Sequence, residues 1–182
     1  MNVLLSTIGE SPVNTLGTVD QPQEAVTARE VLNEVSKDVQ SEGWNFNLMR
    51  HFKLVPDTDG LITVPNNCVH VKPVDPNPFI RVALRGLKLW NVDKNSYVFQ
   101  NPIWADMLLL LDFDQLPQQA KKYITAKASR LFQQRFVGSQ VLDTYTKEEE
   151  YRSRAELLQY DIREGKPSML HDSHMLRGMM YR

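Results

Sequence analysis

Residues 112–138 constrain the fold more than any other part of the chain. Pro117 suits the first turn of a helix, where its missing N–H leaves no hydrogen bond unmade, and Gly138 suits the position just after a helix end. Between them, apolar residues recur at helical spacing: Ala120, Tyr123, Ile124, Ala128, Leu131, Phe132 and Phe136. This segment therefore predicts one long helix that packs into a core along a single face.

The opposite face of this helix is basic. It carries Lys121, Lys122, Lys127, Arg130 and Arg135. The first 43 residues hold seven acidic and two basic side chains, and three consecutive glutamates at 148–150 lie near the start of the next predicted helix. The whole chain has a net charge of −1, so it lacks the positive surplus typical of nucleic-acid-binding proteins. We expect the basic face to pair with acidic side chains, within one chain or between neighbours.

Length and composition predict one globular domain, or one domain with an insertion. The chain has 182 residues, of which 42% are apolar, enough for a sizeable core. Its longest apolar run, residues 107–111, has the length of a strand, far below the roughly 18 residues of a membrane span. Residues 1–9 do not resemble a signal peptide, and the single Cys68 excludes an internal disulfide. We expect no membrane contact and synthesis in a reducing cytosol.

Two helices are predicted before residue 44. The first covers residues 2–8 and ends at Gly9. The second begins near Pro22, and its apolar residues fall at steps of three and four: Ala25, Ala28, Leu32, Val35 and Val39. Gly43 ends this helix, which places Trp44 where it can close a Schellman motif against Val39.

The apolar period changes from 3.6 to 2 in residues 44–111, which predicts short strands. Residues 46–54 alternate, with a break at Arg50, and are expected to form a hairpin with residues 61–64 around a turn at 57–60. A strand follows at 80–84, and residues 87–90 are expected to pair with 96–100. Six of the ten prolines lie in this region and restrict its strands to short or edge positions. Residues 66–79 are predicted to be mostly loop.

A fourth helix is predicted from near Thr144 to the stop at Gly165 and Pro167. Its expected buried residues are Tyr151, Ala155, Leu158 and Ile162. The last 15 residues show neither helical nor strand period but are rich in Met, which packs adaptably on other surfaces. We expect this tail to bind a partner through its apolar residues: Met169, Leu170, Met175, Leu176, Met179, Met180 and Tyr181.

Together these segments predict an α+β fold. A bundle of about four helices would come from both chain ends, residues 1–43 and 112–164. A small antiparallel β domain, residues 44–111, would be inserted between them, and residues 165–182 would form an extended C-terminal tail.

No residue set indicates catalysis. Asp112 and Asp114 flank an apolar residue before a helix, where turn and capping roles account for them. His171 and His174 have a spacing that a metal ion can use, but no third ligand accompanies them. Cys68 has no activating neighbour, and the common nucleophile, phosphate-binding and zinc motifs are absent. We therefore predict no enzyme, no cofactor and no metal site, and interpret the chain as a binding or structural module.

Several motifs resemble a known family. The sequences LLSTIGES at residues 4–11 and SEGWNFN at residues 41–47 resemble the N-terminal part of tail tubular protein A, the head-to-tail adaptor family of short-tailed phages. The FDQLP turn, the YITAKASRLFQQRFVG helix and the Glu-rich helix after it resemble the family more closely. The predicted hairpin at 90–99 is also similar. The resemblance covers most of residues 1–170.

The resemblance implies a structural virion protein of the phage tail. In this family about twelve copies form a ring between the portal protein and the hexameric tail nozzle, tail tubular protein B, near which tail fibres attach. The ring prolongs the channel for genome retention and ejection, and phage DNA passes through it without sequence specificity.

Two other functions stay open at this stage. A tail-associated glycan hydrolase acting on the cell envelope needs two carboxylates at a defined separation in a cleft, and the sequence nominates no such pair. A generic DNA-binding module would bind duplex DNA in a salt-sensitive way. The long helix exceeds the length of a recognition helix, and the next helix is led by acidic residues that repel phosphate.

Overall fold

A computed structural model describes residues 2–7, 9, 22–76, 79–136 and 140–165. These residues contain four helices, α1 (Asn2–Thr7), α2 (Gln23–Ser41), α3 (Gln118–Phe136) and α4 (Gln140–Gly165). They also contain five strands, β1 (Leu48–Leu54), β2 (Cys68–Pro73), β3 (Val82–Arg85), β4 (Lys88–Asn91) and β5 (Ile103–Leu109). The predicted α+β class is therefore confirmed, whereas the arrangement of the helices as one bundle stays a prediction. The predicted tail and the helix stop at Gly138 lie outside the described residues.

The chain divides into two compact units. One draws on Met1–Ser36 and Pro117–Arg182 and is helical in its described part. The other, Lys37–Leu116, contains the end of α2 and all five strands.

In the helical unit, α3 packs against α1 and α4. The predicted apolar face of α3 is confirmed over most of its length, since Ala120, Tyr123, Ile124, Ala128 and Phe132 are buried. Phe136, at the last turn, is 45% exposed. The helix starts as expected, because the carbonyl of Pro117 accepts the first helical hydrogen bond from the N–H of Lys121 at 3.0 Å.

The buried face predicted for α4 is wrong. Tyr151, Leu158 and Ile162 are 64%, 42% and 60% exposed, and Ala155 is exposed as well. Among the side chains described on this helix, residues 145–165, the buried ones are the small Ser153 and Leu157. Glu150, Arg154 and Glu156 make polar contacts with α3, and the apolar period of the sequence marks the outer side of the helix instead.

In the β-containing unit, β5 is the central strand of an antiparallel sheet with the order β1-β5-β2. Leu54 lies opposite Ile103, and Val71 lies opposite Met107. A separate antiparallel hairpin joins β3 and β4 across Gly86, whose φ of 63° suits glycine. One core gathers residues from both sheets and the loops between them: Leu54, Ile62, Val64, Cys68, Val71, Leu89, Phe99, Ile103, Ala105 and Met107.

Three strand predictions for this unit are wrong. Residues 46–54 do not form a hairpin with 61–64, since β1 pairs with β5, while Leu61 bridges Val98 and Thr63 bridges Lys88. The predicted loop at 66–79 contains β2. Residues 88–91 pair with β3, and of the expected second hairpin only the bridge from Asn91 to Ser96 remains among the described residues. As the central strand, β5 forms hydrogen bonds along both edges with strands that are distant in sequence. Local alternation of apolar residues does not reveal such partners.

The turns were predicted better than the pairings. The Asp57 carboxylate accepts hydrogen bonds from the N–H groups of Asp59 and Leu61, at 3.0 and 2.7 Å. Past β4, the Asp93 carboxylate accepts bonds from the backbone N–H and the side-chain Nε of Arg81, at 2.9 and 2.7 Å. These bonds hold the pKa of Asp93 below its ordinary value.

The end of α2 is closed as predicted in position but by a different bond. Gly43 has a φ of 82°, and its N–H donates to the carbonyl of Gln40 at 3.2 Å. The indole Nε1 of Trp44 donates to the carbonyl of Val39 at 2.7 Å. The backbone N–H of Trp44 instead donates to the side-chain oxygen of Asn47 at 2.9 Å. The Trp44 indole thus donates to the Val39 carbonyl in place of the Trp44 backbone N–H, which would make that bond in a Schellman motif.

Candidate interaction surfaces

The basic face of α3 is largely neutralised by acidic side chains of the same chain. Three ion pairs do this: Lys122–Glu156 at 2.7 Å, Arg130–Glu150 at 2.8 Å and Arg135–Glu34 at 3.2 Å. The Arg154 guanidinium also donates to the hydroxyl of the buried Tyr123 at 2.8 Å. The predicted pairing with both acidic segments is confirmed within one chain, so these cations are not held ready for phosphate.

The pairs differ in what they contribute. The side chains of the Lys122–Glu156 and Arg135–Glu34 pairs are about half exposed. Exposed ion pairs contribute at most about 1 kcal/mol each to the free energy of unfolding. Arg130 and Glu150 are roughly three-quarters buried, so less water screens their attraction. The two pairs that join α3 to α4, Lys122–Glu156 and Arg130–Glu150, favour the side of α4 that faces α3, whereas Arg135–Glu34 joins α3 to α2.

The α4 outer face is the apolar stripe of Tyr151, Ala155, Leu158 and Ile162. These residues recur at steps of four, three and four, so they lie on one side of the helix. Ser153 and Leu157 are buried on the other side. Lys147 lies 5.9 Å from the ring of Tyr151, and Glu148 pairs with Arg152 at 3.5 Å beside the stripe. The result is an apolar strip, one helix wide, with charged residues along its border.

The three-stranded sheet carries an aromatic and polar surface around Trp104. The ammonium group of Lys53 lies 5.8 Å from the Trp104 ring, and the ring of His51 lies 5.8 Å from it. His51 occupies an irregularity in β1 with a φ of 54°, and its N–H donates to the Asp106 carboxylate at 2.8 Å. The bulge turns His51 toward Trp104.

Sequence reasoning missed the surface around Trp104. The pairing of β1 with β5 that assembles it was not predicted. The break in alternation at Arg50 was the visible sign of the bulge.

The residues considered for chemistry take structural roles or lie outside the described residues. Asp112 precedes a 3₁₀ turn, where its N–H donates to the Gln115 side chain at 3.4 Å and its carbonyl accepts the Gln115 N–H at 2.9 Å. His171, His174 and the predicted partner-binding residues of the tail lie outside the described ranges. Within those ranges, no cluster of three or more His, Cys, Asp or Glu is placed to hold a metal ion. No helix there is long and apolar enough to cross a membrane.

Cys68 is a core residue, and burial raises the pKa of its thiol. We expect alkylation of Cys68 at pH 8 to be at least about tenfold slower in the folded protein than in denaturant, because the thiolate is the reactive form. The pKa of the Cys68 thiol is higher in the folded than in the unfolded protein. The thiol therefore contributes to stability at a pH below its unfolded-state pKa, and this stabilisation is lost as the pH rises through the folded-state pKa. Timed iodoacetamide labelling read by mass spectrometry measures the rate; equal rates in both states would contradict a buried thiol.

Comparison with known proteins gives consistent results. A family model described as tail tubular protein matches residues 1–167. Tail tubular protein A of Klebsiella phage KP34 is 28% identical over 124 residues, which cover 68% of this chain and 64% of that protein. The matched region thus spans less than two thirds of the length of this relative. These matches confirm the resemblance found in the motifs: the chain belongs to the tail tubular protein family and is a structural component of a phage virion tail.

Proposed function

We propose that the protein is a head-to-tail adaptor. About twelve copies form a ring between the portal protein and the tail nozzle, tail tubular protein B, near the attachment of the tail fibres. The ring prolongs the channel that retains and releases the genome. The role is structural and not catalytic.

The α4 outer face is the observation that carries this proposal. A helix of a small protein that turns its one regular apolar stripe away from its own unit has a surface suited to another protein. Family membership supports assembly within a virion tail. The apolar tail residues listed above, from Met169 to Tyr181, supply a second and different surface for contact with a partner.

The charge pairing on α3 supports passage of DNA. A channel protein has to let phosphates slide past, and Lys or Arg side chains that release counterions on binding would hold them. Here the cations of Lys122, Arg130 and Arg135 are bound to carboxylates.

The proposed division of labour follows the domains predicted from the sequence. The helical part, residues 1–43 and 112–164, packs side by side in the ring. The inserted part, residues 44–111, provides another contact surface, and residues 165–182 reach a partner.

Electron microscopy of the protein mixed with portal and nozzle tests the proposal. We expect rings of about twelve copies on the portal, which subunit counting in class averages would show. A protein that stays monomeric with both partners present would contradict an adaptor.

A DNA-binding assay separates the proposal from a regulatory module. We expect no measurable binding of the monomer to duplex DNA at physiological salt. Binding that falls steeply as salt rises would favour the DNA-binding module instead.

A further inference from the structure

We propose that the α4 outer face receives residues 168–182 of a neighbouring copy in the ring. This inference rests on the proposed function and names the two surfaces that meet. Its starting point is the exposure of Tyr151, Leu158 and Ile162, each between 42% and 64%, on the side of α4 opposite to the buried Leu157.

The size of the α4 outer face fits a short segment. Tyr151 and Ile162 are about 16 Å apart along the helix, and the strip is one helix wide. Its side chains expose a few hundred Å² at most, whereas a stable contact between globular proteins takes about 800 Å² from each partner. The strip alone is therefore too small for the body of another subunit but large enough for a peptide.

The chain itself contains a segment of matching length and composition. Seventeen residues follow Gly165, and seven of the last fourteen are Met, Leu or Tyr. Fourteen residues span roughly 20 Å as a helix and about 45 Å when extended, so either form covers the strip. Methionine adapts its shape to such a surface.

Charge complementarity favours one direction of docking. Arg177 and Arg182 stand near the end of the segment, while the exposed Glu148 lies beside the Tyr151 end of the strip. An antiparallel arrangement places Met169 beside Ile162 and brings the arginine-bearing end of the segment toward Glu148.

Ring closure favours a neighbouring copy as the source. A closed ring needs two different patches on each subunit, each binding the other on the next copy. Packing of one α4 outer face on a second would be self-complementary and would produce a dimer. If residues 168–182 bound the α4 outer face of their own copy, neither surface would be available to join that copy to its neighbours in the ring.

Disulfide trapping tests the inference on the full-length chain. In a Cys68→Ser background, Leu158→Cys and Met175→Cys are made as separate proteins, mixed, assembled with portal and nozzle, and oxidised mildly. We expect a covalent dimer of the two variants. Gln159→Cys, exposed but turned about 100° around the helix, is the matched control and should give at least fivefold less dimer.

The outcomes separate this inference from the proposed function. Rings that form without the cross-link overturn the inference but not the adaptor function. The same holds if one chain that carries both Leu158→Cys and Met175→Cys forms the disulfide only within itself. Trapping of the α4 face by Leu16→Cys, a probe of residues 10–21, would show that another segment covers the strip. Failure to form any ring overturns the inference together with the adaptor function.

A non-covalent readout checks the same contact. Leu158→Gln on the strip and a Met175→Gln, Leu176→Gln pair in the tail should each weaken ring assembly about tenfold without changing thermal unfolding. Because both changes remove one contact, the combined variant should be no weaker than either. Additive effects would show that the two surfaces bind different partners and would overturn the inference.

Discussion

The substitution Phe132→Ala is expected to destabilise the helical unit by about 3–5 kcal/mol. Phe132 has no exposed surface, and its ring packs 4.5 Å from that of Phe136. Removing it deletes a large apolar side chain and leaves a cavity that close packing cannot fill without strain. Since small domains have a total stability of about 5–15 kcal/mol, the loss would be a large part of the whole.

Denaturant unfolding followed by helical circular dichroism measures this effect. Phe136→Ala is the matched control, because it removes the same side chain one turn later on α3, where 45% of it is exposed. We expect the control to cost about 1 kcal/mol. Similar costs for the two variants would contradict the burial of Phe132 in the core.

The second large effect is expected for Gln40→Leu, at about 2–4 kcal/mol. Gln40 is 1% exposed, and its carboxamide binds both backbone groups of Leu111: Nε2 donates to the carbonyl at 3.0 Å, and Oε1 accepts the N–H at 2.7 Å. Leucine has a similar size but offers neither group. The backbone of Leu111 would then remain partly buried without these hydrogen bonds, which costs more than the bonds themselves contribute.

Cys68 provides the readout for this variant, because its thiol reports opening of the same unit. Gln40→Leu should accelerate Cys68 labelling, whereas Gln23→Leu, an exposed change at the start of α2, should leave the rate within about twofold. An unchanged rate in Gln40→Leu would show that the carboxamide does not hold Leu111. No sequence pattern pointed to Gln40, since its partner lies 71 residues away.

The candidate surfaces were predictable in unequal measure. Composition indicated the acidic partners of the α3 cations, because oppositely charged segments in one near-neutral chain tend to meet. The partner role of the tail residues stays a prediction. The surface around Trp104 depends on a bulge and a strand pairing, and neither can be deduced from local alternation.

What the sequence determined by itself is local. The 3.6 period of α3, Pro117 at its start and Gly43 after α2 act through the backbone within a few residues, so the helices and the α+β class follow from the chain alone. Tertiary structure decided which partners each element meets. It set β5 between β1 and β2, and it turned α4 so that Ser153 and Leu157 are buried while Tyr151 and Ile162 face outward. An apolar stripe identifies the face of a helix that packs against something else. Which element packs there depends on residues distant in the sequence or in another molecule.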